Sequence, residues 1–171
     1  MDISQIIGQI LGFVAVVLGI VSYQVKSAKQ LLFFQGLTCA VFSAHYLLLG
    51  AIPGAILNCI GIVRNIVYYH KDKKFYNPKV FPVVFAVIML FAGWRLSNGL
   101  HSIFIIAGLV INTLCLSFKS AQNVRKSILV TCPMVIIYDI FEHSYGGVIY
   151  ESFAMISAIV GIIRYKKNKT E

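Results

Sequence analysis

Charge is what this sequence has least of. Asp, Glu, Lys and Arg make up 12% of its 171 residues, where a soluble domain averages about a quarter. Hydrophobic residues reach 58%, and the mean hydropathy is +0.82. A compact water-soluble core cannot hide that much apolar surface, so lipid must take the rest. The signatures of common chemistry are missing as well. There is no P-loop, zinc-ligand spacing, Rossmann glycine pattern or nucleophile motif. Those absences argue against an enzyme and leave no cofactor or metal to expect. Cys39, Cys59, Cys115 and Cys132 all fall in apolar stretches without metal-ligand spacing and read as small packing residues. The first apolar run lacks a basic n-region and a small-x-small cleavage site. It leads through Ser22, Tyr23 and Gln24 to Lys26, so it reads as a retained helix rather than a signal peptide.

What the chain does have is a series of apolar segments close to the roughly 20 residues that cross a bilayer. Candidate spans lie at about 5–24, 30–49, 52–70, 79–95, 101–117, 127–143 and 146–165. The fourth is the shortest in lipid-compatible residues, because Lys79 and Arg95 bracket it. The basic residues supply the missing support. Lys26 and Lys29 occupy the first loop, Lys71, Lys73, Lys74 and Lys79 the third, Lys119, Arg125 and Lys126 the fifth, and Arg164, Lys166, Lys167 and Lys169 the tail. The second and sixth loops hold no Lys or Arg. With seven spans all of these residues fall on one side; with six, the fifth loop and the tail fall on the other. Lys and Arg accumulate on the cytoplasmic side, which places the N-terminus outside and the C-terminus inside. In a soluble protein the net charge of +9 would point to nucleic acid; here it reads as orientation, and no nucleic-acid partner is expected.

Shifting the sequence against itself by 93 positions exposes a repeat. Lys26-Ser27-Ala28 falls on Lys119-Ser120-Ala121, and Thr38-Cys39 on Thr131-Cys132. Gly54-Ala55-Ile56 falls on Gly147-Val148-Ile149, Ile66-Val67 on Ile159-Val160, and Lys73-Lys74 on Lys166-Lys167. The shift carries spans 1–3 onto spans 5–7 without a gap. Three helices reverse the chain, so an odd linker helix is needed for the two copies to run the same way. The expectation is an all-α membrane protein of seven transmembrane helices. Two parallel triple-helix repeats (about 5–71 and 100–165) flank a linker helix (about 79–95), with a basic cytoplasmic tail at 166–171, all in a single transmembrane domain over 1–171.

Such a 3+1+3 arrangement resembles the SWEET and PQ-loop superfamily, which includes the PnuC-type vitamin transporters. Local sequence resembles a narrower group, the YgjV-type bacterial inner membrane proteins. The residues that carry this are Ser22-Tyr23-Gln24-Val25-Lys26, His45-Tyr46-Leu47-Leu48-Leu49-Gly50, Pro53-Gly54-Ala55 and Arg64-Asn65. The wider superfamily has a Pro-Gln pair near the end of each repeat's first helix. Here the equivalent pairs are Tyr23-Gln24 and Leu116-Ser117, so the prolyl hinge is absent; Pro133 lies instead inside span 6.

Polar groups inside spans cost about 2.5–3.5 kcal/mol each when ionisable, and so usually face a cavity or a partner. The candidates are Gln24, Gln35, His45, Asn58, Arg64, Asn65, Asp139 and Glu151. Asn58 and Glu151 are 93 apart, and resemblance to the sugar transporters implies that this pair faces the solute. Glu151 is alternatively a partner for Arg64. Asn65 falls on the helix face of Asn58, extending a polar stripe. Asp139 pairs with Arg64 or lines water. His45, equivalent to Tyr138, is a gate, a proton relay or a hydrogen-bonded interface group. Gly8, Gly12, Ala15 and Gly19 form a small-residue ridge for close helix approach, as do Ala154, Ala158 and Gly161. Trp94, Tyr68, Tyr69 and Tyr165 read as interface anchors. The partners expected are therefore the lipid bilayer and a small polar solute. The sequence leaves open the solute's identity, the coupling ion and whether the chain forms a homo-oligomer. The functional expectation is a transporter or facilitator working by alternating access. The alternative is a receptor or assembly protein built on the same bundle, since fold does not imply function.

Overall fold

A computed structural model describes residues 2–24, 28–70, 77, 79–116 and 121–167. Seven helices account for most of them: α1 (Ile3–Gln24), α2 (Ala28–Leu49), α3 (Ile52–Tyr69), α4 (Phe81–Arg95), α5 (Ser102–Cys115), α6 (Ala121–Phe141) and α7 (Tyr145–Lys167). Four contain stretches long and apolar enough to cross a membrane: Ile3–Val21, Leu32–Leu49, Ile52–Tyr69 and Tyr145–Ile163. α4 and α5, of 15 and 14 residues, are shorter. α6 begins at Ala121, six residues before the apolar span at 127, so Arg125 and Lys126 sit within its early turns. Hydropathy marks the lipid-compatible stretch, and a helix continues past it wherever its backbone hydrogen bonds can.

Each helix packs on its neighbour in sequence, and α1 packs on α7, so the seven form a ring. α3 also meets α5 directly, with α4 packed on both. The surface is apolar and the centre polar. Ile6, Ile10, Phe13 and Val17 of α1 are exposed, as are Val83, Val87 and Phe91 of α4. Meanwhile His45, Asn65, Ser102, Thr113, Asp139 and Ser144 are all at most 1% exposed. Apolar faces this extensive mark a lipid or partner surface rather than a water-facing one.

Helices α2 and α3 are joined by a turn whose bonds recur between α6 and α7. Gly50 N–H donates to Leu47 O (3.1 Å) and Ala51 N–H to Tyr46 O (2.9 Å). Ninety-three residues on, His143 N–H donates to Ile140 O (3.2 Å) and Ser144 N–H to Asp139 O (2.8 Å). Gly50 and His143 are the two residues with positive φ, +80° and +53°, among those described. These are Schellman-type helix ends, in which one residue turns left-handed to satisfy the last carbonyls. His143 carries a side chain in a conformation that glycine adopts freely.

The small-residue ridge of α1 packs as expected. A Cβ on Gly8 would meet Leu48 (3.1 Å), and one on Gly12 would meet His45 (3.0 Å) and Gly146 Cα (3.1 Å). α1 and α7 thus cross backbone to backbone at Gly12 and Gly146. Gly19 faces Tyr150. On α7, Ala154 and Ala158 are buried, and Gly161 lies against Arg125 of α6. Trp94 is 76% exposed at the end of α4, and Tyr69 is exposed too. Tyr68 departs from the anchor expected of it. It is 3% exposed, stacks edge-on against Phe85 and donates to Thr113 O (3.4 Å). Its face of α3 meets α4 and α5, which hydropathy at a helix end does not reveal.

Candidate functional site

The turns that join α2 to α3 and α6 to α7 lie at one end of the bundle, and its polar centre opens just beneath them. Tyr46 donates its phenol hydrogen to Asp139 Oδ1 (2.6 Å), with both residues buried. These two positions are 93 apart. The bond joins α2 to α6 across the ring. Tyr138, beside Asp139, lies 5.9 Å from the Tyr46 ring centre and accepts from Gly54 N–H (3.1 Å).

His45 lies 93 residues before Tyr138 and, like it, bonds toward the start of another helix. Its Nδ1 meets Gly8 O (2.7 Å) and its Nε2 meets Ser144 Oγ (2.7 Å). A carbonyl only accepts, so Nδ1 carries the hydrogen; in the neutral ring the Ser144 hydroxyl then donates to Nε2. Ser144 Oγ in turn accepts from Gly147 N–H (3.2 Å). Tyr138 reaches Gly54 N–H directly, whereas the shorter imidazole reaches Gly147 N–H, the equivalent donor, through the Ser144 hydroxyl. Of the three roles open for His45, these bonds fit the hydrogen-bonded interface group without deciding the other two: it links α1, α2 and the start of α7.

Below this layer is a cavity of about 80 Å³, lined by Gln35, Asn58, Arg64, Asp139 and Glu151 among others. A second, of about 60 Å³, shares Gln35, Asn112, Tyr150 and Glu151 with it. Five of the eight candidate residues thus come together around one space. Asn58 also donates to its own helix at Gly54 O (2.9 Å). Gln35 Oε1, Asp139 Oδ2 and Arg64 Nε are buried without a hydrogen-bond partner among the described residues. The space suits several waters that would satisfy them.

Three candidates stand apart. The Gln24 side chain lies outside the described residues, as do the loop lysines Lys26, Lys71, Lys73, Lys74, Lys119 and Lys169 and the side chains of Lys29, Arg164, Lys166 and Lys167. His45 belongs to the layer above. Asn65 shares a helix face with Asn58 but turns to Cys39 Sγ (3.6 Å) and to Arg64 (3.4 Å). The polar stripe thus ends in these two contacts, and Asn65 does not line the cavity although Arg64 beside it does.

Arg64 requires a correction. Neither Asp139 nor Glu151 pairs with it; the ion pair formed among the described residues is His101–Glu142. Arg64 instead donates Nη1–H to Thr113 Oγ1 (2.8 Å). Thr113 passes its own hydrogen to Leu109 O (2.7 Å), within hydrogen-bonding range of Met89 sulfur (3.2 Å). Arg64 therefore ties α3 to α5 where α4 covers their contact. Sequence reasoning looked for a carboxylate because Arg carries charge, and a lone Thr gave no signal. Also missed were Thr38, Asn112 and Tyr46 on the cavity wall. Tyr46 was detectable, since the shift of 93 places it on Asp139.

A buried polar layer under an apolar exterior is the pattern of a chain that lives in lipid. The model of one protein family, described as bacterial inner membrane protein, matches residues 6–169. The chain belongs to this Imp-YgjV family. Neither the curated proteins nor the solved structures contain a match. Membership in an inner membrane family accounts for the exposed apolar face of α1, one of the four helices long and apolar enough to cross a membrane. It also extends over all seven helices, so the cavity is built within the family's own span.

Proposed function

We propose that this inner membrane protein carries a small polar solute by alternating access between two triple-helix repeats, α1–α3 and α5–α7, with α4 as linker. The observation that carries the proposal is the Tyr46–Asp139 bond between positions 93 apart, directly above a cavity lined by Asn58 and Glu151. Three further features support the repeat. Helices α2 and α6 start 93 residues apart, as do α3 and α7. The positive-φ turns at Gly50 and His143 match. The contact of α1 with α7 and that of α3 with α5 are the same contact under the shift. In this reading all seven helices span, the shorter α4 and α5 included, and the basic loops place the N-terminus outside. The networks of His45 and Tyr46 then close the outer end, the solute sits at the repeat interface as in parallel-repeat transporters, and no catalysis is involved.

Uptake or counterflow of polar metabolites in proteoliposomes tests this. Transport that survives both Asn58→Ala and Glu151→Ala unchanged would remove the cavity from the mechanism. A second reading, a receptor or assembly protein, is favoured by the cavity's size, since about 80 Å³ holds waters more readily than a sugar. Under that reading no solute crosses, and the same substitutions affect only stability.

A further inference from the structure

Two carboxylates and one guanidinium face the larger cavity, and none of the three has an ionic partner among the described residues. Asp139 is fully buried; one of its oxygens accepts from Tyr46 and the other, Oδ2, has no partner there. Glu151 borders both cavities. Arg64 directs its guanidinium to Thr113 and Asn65 and leaves Nε unpartnered. Gln35 adds a second orphaned acceptor, Oε1.

Other titratable groups facing this space do not alter the charge. Cys39 and Tyr46 on α2, Cys132 and Tyr138 on α6 and Tyr150 on α7 are thiols and phenols, uncharged at neutral pH in their ordinary state. The other wall groups, Asn58 on α3 and Asn112 on α5, are amides. Glu142, three residues beyond Asp139, is bonded to His101 (2.9 Å), and both His45 nitrogens are occupied. Fully ionised, the cavity would hold one negative charge in excess. An unbalanced charge at the centre of a bundle surrounded by lipid is unfavourable, and a low dielectric magnifies it. A single positive charge restores neutrality, and the orphaned Asp139 and Gln35 oxygens are acceptors waiting for a donor.

We propose that the cavity binds either one proton or one small monovalent cation, and that the solute is a cation exchanged for H⁺. As the cation enters, a carboxyl group gives its proton to water and its oxygens take the cation instead. The cavity stays neutral at both ends of the step, so the exchange moves no net charge. The exchange rests on the transporter reading above; the competition between proton and cation does not.

Purified protein in weakly buffered detergent is titrated with guanidinium, methylammonium, potassium or sodium chloride while pH is followed. The expected result is release of one proton per chain at saturation. The organic and alkali arms show which kind of cation supplies the charge. Glu151→Gln leaves a cavity already balanced, so release falls from one proton to none; Asp139→Asn does the same by an independent route. No release with any of the four cations, or release retained in both variants, overturns the proposal. In proteoliposomes carrying a lumenal pH dye, a cation gradient should drive protons the opposite way at a rate unaffected by clamping the membrane potential. Proton release in detergent without proton movement in vesicles supports the competitive site and refutes transport. Neutral solutes crossing with no proton movement or release keep the transporter reading and refute this one.

Discussion

Replacing Tyr46 by Phe removes one oxygen atom and tests the proposed opening, in which the two halves separate where this bond joins α2 to α6. The lost bond is short, 2.6 Å, and buried between Tyr46 and Asp139. Hydrogen bonds to charged groups contribute about 1.5–3 kcal/mol, and neutral ones about 1. Taking about 2 kcal/mol, and tenfold for each 1.4 kcal/mol, a bond present only in the closed state shifts the closed-to-open ratio roughly 30-fold on its loss. Cys39 lines the cavity below the bond and reports the opening. With Cys59, Cys115 and Cys132 replaced by Ala, an impermeant thiol reagent added outside right-side-out vesicles should label Cys39 roughly 30-fold faster in Tyr46→Phe. The ring itself is kept, so its stacking against Phe42 (5.8 Å) stays. An unchanged labelling rate, in a variant of unchanged melting temperature, would mean that the halves do not part at this bond.

Four other substitutions probe the same end of the bundle. Gly147→Ala places a methyl group against the Asp139 carboxylate and within 2.5 Å of Ser144 Oγ; overpacking of this kind costs about 1–3 kcal/mol, read as a lower melting temperature in detergent. Ser144→Ala breaks the link from His45 to Gly147 N–H and leaves buried groups unsatisfied at about 1–3 kcal/mol, while Ala51→Ser at the equivalent position, where Tyr138 already reaches Gly54, should not stabilise. His143→Gly relieves a left-handed side chain and should stabilise by about 1 kcal/mol, measured by the same melt; a loss there would show that the imidazole has a role beyond the turn.

Helix number was readable because lipid imposes a length and basic residues impose a side; the start of α6 was not, because its first turns run through basic residues that hydropathy leaves out. The shift of 93 was readable because it matched loops and turns together. Tyr46–Asp139 followed from that shift only once the facing of the two helices was known, which no periodicity supplies. His45 was read with three roles because an imidazole can donate, accept or titrate; the partners it bonds, Gly8 and Ser144, are 37 and 99 residues away. Arg64 misled for the opposite reason. Its charge pointed to a carboxylate, while a hydroxyl, a side-chain amide and the carbonyl of Leu109 beyond the hydroxyl shape its actual surroundings. Asn65 had the right helix face, but its amide is taken up by Cys39 and Arg64, partners that a helical wheel does not show.

If the two repeats move apart as proposed, the ring has two seams between them, and they are built differently. α3 and α5 meet beneath α4, which packs on both and is covalently continuous with each. α1 and α7 meet at a crossing where Gly12 and Gly146 present bare backbone, bridged from α2 by His45, which bonds Gly8 O and Ser144 Oγ. In that movement the bundle opens like a book: α4 is its spine, and the pages part at the fore-edge, where α1 and α7 meet and His45 is the clasp.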